Sequence, residues 1–147
     1  MISKFKIILL ILSASIFTVP IYAHDILVSG VWSLAPPPTS KNGAVYLLIK
    51  NKGAEEDMLI GAKTNVAKKV ELHTTSHDHG QMKMHHNHSF KIPGDGSLEM
   101  KPGGHHIMLM GLVQPLTPGQ RFELTLNFMK VGDIITEVVV VETPPTN

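Results

Sequence analysis

Four side chains from three separated stretches have the chemistry to hold one soft metal ion: His73, Met84, His106 and Met108. His106 and Met108 are two residues apart. On a strand they project from one face, about 7 Å from each other along the chain, while His105, Ile107 and Leu109 face the other way. His73 closes the alternating stretch Lys69-Val70-Glu71-Leu72-His73 on the face opposite Val70 and Leu72. Met84 lies across a His-rich segment that a β-hairpin would return beside the end of that strand. Met82, two residues earlier, is an alternative sulfur donor. Thioether sulfur and imidazole nitrogen suit Cu(I), a soft ion with a filled d shell. Two His and two Met are neutral, so the ion keeps its single charge. Thioether is not among the usual ligands of Zn(II), and Mg and Ca take oxygen. Two thioethers therefore favour reduced copper.

These residues need a scaffold, and the rest of the chain reads as strands. Ala44 to Ile49 is a buried-strand run followed by the turn signal Asn51-Lys52-Gly53. Phe122, Leu124, Leu126 and Phe128 alternate with Glu123, Thr125 and Asn127, a period of two. His105 to Leu112 and the Val-rich Thr136 to Val141 are further strands. Turn chemistry punctuates the chain at Pro36-Pro37-Pro38, Pro93-Gly94-Asp95-Gly96, Pro102-Gly103-Gly104 and Leu116-Thr117-Pro118-Gly119. About seven strands and no long amphipathic helix are expected, hence two packed antiparallel sheets or a Greek-key barrel. Met110 continues the phase of Met108 and is assigned to the core; Met58, Met100 and Met129 are read as packing or surface residues.

Composition narrows the function. At 147 residues and 43% hydrophobic the chain suffices for one domain. A formal charge of +1 offers no electrostatic footprint for nucleic acid. Cysteine is absent, which excludes disulfides, thiolate metal sites, cysteine nucleophiles, blue-copper ligation and a cysteine-linked lipid. Residues 1–23 read as a secretory signal peptide: Lys4 and Lys6, an uncharged apolar run from Ile7 to Val19, then Pro20 and Ala23. Cleavage there leaves a domain at residues 24–142, beginning at His24, and a flexible tail at 143–147, in a compartment outside the cytoplasm. No carboxylate pair or serine has an acid/base or nucleophile context, so no enzyme is expected.

Thr74 to Ser89 stands apart as a polar hairpin or loop carrying His77, His79, His85, His86 and His88. It is either a solvated loop or a looser second site for Cu(II) or Zn(II), which imidazole-rich sites suit. His24 is either a frayed terminus or a terminal amine–imidazole chelate for copper.

His73, ten residues, Met84, twenty-one residues, then His106-Ile107-Met108 fits H-x10-M-x21-H-x-M. That pattern, with Gly80-Gln81-Met82-Lys83-Met84, Pro102 to Leu112 and Gln114-Pro115-Leu116 around it, resembles the periplasmic copper chaperone family PCuAC over roughly Val31 to Val141. The resemblance implies a cupredoxin-like all-β fold of about seven to eight strands, Cu(I) on His73, Met84, His106 and Met108, and copper supply to the haem–copper oxidase alongside Sco-type proteins. His105 and the His density of the hairpin depart from the family's usual text. The alternatives are a periplasmic copper or zinc buffer serving metal tolerance, and an oxidase built on His24. An electron-transfer cupredoxin is disfavoured by the missing cysteine.

Overall fold

The computed structural model describes residues 25–78 and 80–146. The expected signal peptide, His24 and His79 lie outside them. Ten strands run through the described residues: β1 (Ile26–Leu34), β2 (Asn42–Asn51), β3 (Asp57–Lys63), β4 (Ala67–Asp78), β5 (Gln81–Asn87), β6 (Phe90–Ile92), β7 (Ser97–Met100), β8 (His105–Leu112), β9 (Arg121–Phe128) and β10 (Gly132–Val141). They form one hydrogen-bonded ladder in the order β5-β4-β8-β2-β1-β10-β9-β3-β6, with β7 also paired to β2. Every pairing is antiparallel except that of β1 with β10.

Alternation does the folding work. Val45, Leu47 and Ile49 of β2, Leu72 of β4, Ile107 and Leu109 of β8 all point inward. They meet Phe122, Leu124, Leu126 and Phe128 of β9 and Val138 and Val140 of β10 in a single core. Strand β1 joins the two halves. Its residues from Ile26 to Ser33 pair with β2, and Trp32 to Leu34 pair with β10. The register shifts between Ser29 and Trp32, where Gly30 takes φ +57°. A bulge of this kind bends a strand and lets it serve both halves.

The all-β expectation agrees with this architecture. The strand count of seven to eight does not: there are ten, in a mixed rather than wholly antiparallel sheet. The additional strands lack a readable period. β6 has only three residues, β7 four, and β3 is broken by a register shift between Leu59 and Gly61. The His-rich segment is a hairpin, one of the two expected forms, and it continues the sheet. β4 runs on to Asp78 and pairs with β5, which starts just after Gly80 at φ +79°. Met110 is no core residue: it is half-buried on the face opposite Ile107 and Leu109.

The two faces of β8 do different work. On the inner face, Ile107 is fully buried and pairs with Leu72 across β4 and with Val45 across β2. It anchors the backbone that carries His106 and Met108. Ile107→Ala is expected to lower the unfolding free energy by about 2–5 kcal/mol in urea denaturation. A loss below about 1 kcal/mol, the scale of an Ile→Val change, would show that this anchor is not needed.

Candidate metal centre

The outward face of the β5-β4-β8-β2 segment collects the predicted donors. His73 of β4 stands directly opposite His106 of β8, and on its other side opposite His86 of β5. The ring centroids lie 5.8 Å apart in both pairs. Met108 follows His106 on the same face and pairs with Ala44. Met84 pairs with Thr75 on the edge strand. Met84, Met82, His106 and Met108 line a common open hollow of about 390 Å³, together with Leu34 at the end of β1 and Pro36 and Pro37 of the β1–β2 loop. The structure thus brings three of the four predicted donors to one cavity. His73 lies beside it, against His106.

Burial is graded across these groups. His106 is 4% exposed although it sits on the outer face, while Met84 is 52% exposed. Tyr46 faces His106 at 6.3 Å between ring centroids and stacks on Trp32 at 4.7 Å. Burial raises the Tyr46 pKa, which keeps its phenol neutral.

The hydrogen bonds decide which nitrogens are free. The His73 Nε2–H donates to Glu71 Oε2 at 2.8 Å. Glu71 is also paired with Lys69 at 2.5 Å. These bonds, Lys69 first and His73 second, hold its pKa down at about 2. An ionised carboxylate only accepts, so the shared proton belongs to His73 Nε2. The Nδ1 of His73 is then a lone pair, and it is buried with no hydrogen-bond partner among the described residues. His106 reaches the same condition by another route. Its Nδ1–H donates to the Gly104 carbonyl at 3.1 Å, which leaves Nε2 as the lone pair. Burial is the main reason the His106 pKa is lowered, with the neighbouring His73 and His105 adding to it against the Gly104 bond. Metal-binding histidines characteristically give their other N–H to a carboxylate or carbonyl, which fixes tautomer and ring orientation. A buried, unpartnered nitrogen calls for an explanation, and a bound cation supplies one.

The remaining histidines separate. His105 points away, as expected: its Nδ1 meets Thr74 Oγ1 at 2.8 Å and its ring packs on Phe90. His85 lies on the other face of the hairpin, 3.2 Å from Ser76 Oγ. His77 pairs with Met82 toward the hairpin turn. His88 stands edge-on to His86 at 5.0 Å. Among the described residues no three His, Asp or Glu side chains gather to hold an ion; a preformed cage needs the thioethers. Sequence reasoning missed Glu71 as the partner of His73. The signal was present, because Lys69, Glu71 and His73 share one strand phase.

A larger hollow of about 660 Å³ lies at the far end of β2, among Asp25, Asn51, Glu55, Glu56 and Lys130. Its buried carboxylate, Asp57, accepts from the backbone N–H groups of Met58, Lys130 and Val131. That carboxylate ties down a turn and is not free for chemistry.

Comparison with known proteins places this geometry. The family described as "Putative lipoprotein LpqE-like" matches residues 26–140. "Putative lipoprotein Lxx21020" of Leifsonia xyli subsp. xyli is 37% identical over 107 residues, 72% of this chain and 63% of that protein. The chain therefore spans under two thirds of that relative. Among solved structures, the copper-bound PCuAC domain from PmoF2 superposes with a TM-score of 0.69 at 25% identity, covering 83% of this chain and 97% of that domain. The solution structure of CuI-DR1885 from Deinococcus radiodurans gives 0.61 at 32% identity, covering 78% and 76%. With its alternating β scaffold and its outward row of imidazoles and thioethers, this chain belongs to the LpqE-like/PCuAC family.

Proposed function

We propose that this protein is an exported, periplasmic Cu(I) carrier that binds the ion through His73 Nδ1, Met84, His106 Nε2 and Met108 and hands it to partner proteins. The observation that carries this reading is the buried, unpartnered Nδ1 of His73 beside His106 and the thioether-lined hollow. The copper-bound state of the PmoF2 domain and the Cu(I) state of DR1885 support copper as the cargo. Neutral donors in a hollow lined by Pro36, Pro37 and Tyr46 suit a monovalent soft ion. Glu71 acts one bond back, holding His73 and making it a stronger donor.

Release follows the gradient of burial. Met84 is exposed on an edge strand, so it gives way first to an incoming ligand. His106 is enclosed and lets go last. Stepwise exchange of this kind moves copper without freeing it. By family resemblance the recipients are Sco-type proteins and the copper-site subunits of haem–copper oxidase. Export by the segment before Ala23 would place the carrier outside the cytoplasm.

A Met84→Ala, Met108→Ala variant should lose Cu(I) affinity by more than about 100-fold in chelator competition, beyond the roughly 10–100-fold that loss of an outer partner costs. Zn(II) binding measured beside it should be unchanged, and X-ray absorption of the parent should show both sulfur and nitrogen neighbours. Equal Cu(I) affinity in parent and variant would sink the reading. Glu71→Gln keeps all four donors and should weaken Cu(I) about 10–100-fold.

The lowered His106 pKa has a second readout in the metal-free protein. The unfolded state takes up its proton near pH 6.5, whereas the folded state resists down to a lower pH. Stability is therefore complete above about pH 6.5 and falls as the pH drops below it. Urea denaturation between pH 7.5 and 5.5 should show this acid-side loss, with a shallower slope in His106→Gln. Identical slopes would remove His106 as a cause.

A further inference from the structure

The imidazoles on the outer face continue beyond the proposed Cu(I) site. His106, His73, His86 and His88 follow one another across β8, β4 and β5, at 5.8, 5.8 and 5.0 Å between ring centroids. The last pair differs from the others. His86 and His88 are exposed, two residues apart, and nearly perpendicular at 83°. An imidazole nitrogen about 2.0 Å from a metal places its ring centroid about 3.2 Å from it. Two rings on one ion then lie about 4.5 Å apart at a right angle and about 5.2 Å apart at the tetrahedral angle. The observed 5.0 Å falls between, whereas 5.8 Å requires a wider opening.

The other described histidines of the hairpin cannot join this pair. His85 faces the opposite side against Ser76. His77 pairs with Met82, four residues from His86 and so roughly 14 Å along the strand. On the near side stands Glu71, whose carboxylate is close enough to His86 to feel its charge. It adds negative potential without being a ligand in this arrangement, since its oxygens are held by Lys69 and His73.

We propose that His86 and His88 form a second metal site, a two-imidazole chelate for divalent copper that sits one ring away from His73. No thioether borders it in the ring row, and imidazole donors suit Cu(II), which tops the divalent series in affinity. Among the described residues no third His, Asp or Glu completes the sphere, so water fills it and the ion exchanges readily. Such a site concentrates divalent copper at the edge of the sheet, beside His73. Its binding stands independently of the Cu(I) reading.

The test uses the whole chain and Cu(II) alone as the probe, followed by electron paramagnetic resonance and by competition with a Cu(II) chelator. The parent should show nitrogen coupling from two imidazoles. His86→Ala, His88→Ala should lower Cu(II) affinity at least about tenfold. His77→Ala, His85→Ala should leave it within about twofold of the parent, well inside that loss. Both pairs of side chains are exposed, so neither change threatens the fold, and circular dichroism checks this. Cu(I) affinity of His86→Ala, His88→Ala should stay close to the parent's. The Met84→Ala, Met108→Ala variant should still bind Cu(II), which separates failure of this site from failure of the Cu(I) site. The proposal is overturned if His86→Ala, His88→Ala binds Cu(II) as the parent does, or if the His77, His85 variant loses as much.

Discussion

The pairing of β4 with β8 governs the site. His73 lies opposite His106, and one residue along, Leu72 lies opposite Ile107. The two pairs share the same backbone and point to opposite faces. A slip of one residue would turn the imidazoles into the core and the aliphatic side chains into water. Every apolar contact made by Leu72 and Ile107 thus also holds the two nitrogens in register. The core does not merely support these residues from a distance; it sets the spacing of the two imidazoles.

Much of this was legible in residue order. The alternation of β9 and the phase of His106 and Met108 follow from a period of two, which is local information. What local information lacks is the identity of the neighbouring strand. His86 becomes the companion of His73 only through the β4–β5 register, whereas Glu71, two residues before His73 on the same strand, was within reach of local reasoning. The short strands β6 and β7 are held by β3 and β2, not by their own pattern. Met110 shows the converse. An apolar residue on an apolar strand looks like core, yet its phase places it on the outer face with Met108.

Charge is handled sparingly around the donors. One carboxylate, Glu71, is balanced by Lys69 and anchors one imidazole; the other imidazole is anchored by a backbone carbonyl. Neither lone pair is opposed by a formal negative charge of its own. If this pocket holds the ion as proposed, its neutrality disfavours a divalent ion through the cost of burying that charge. The Trp32–Tyr46 stack beside His106 adds bulk without adding charge.

β5 contributes no side chain to the core: six of its seven residues are exposed, and it forms one edge of the ladder. The side chains of this arm are thereby kept apart from the packing that folds the chain. Changes of composition in this arm, including its wealth of histidine, leave the energetics of the core almost untouched. Its sequence is free to vary without renegotiating how the chain folds.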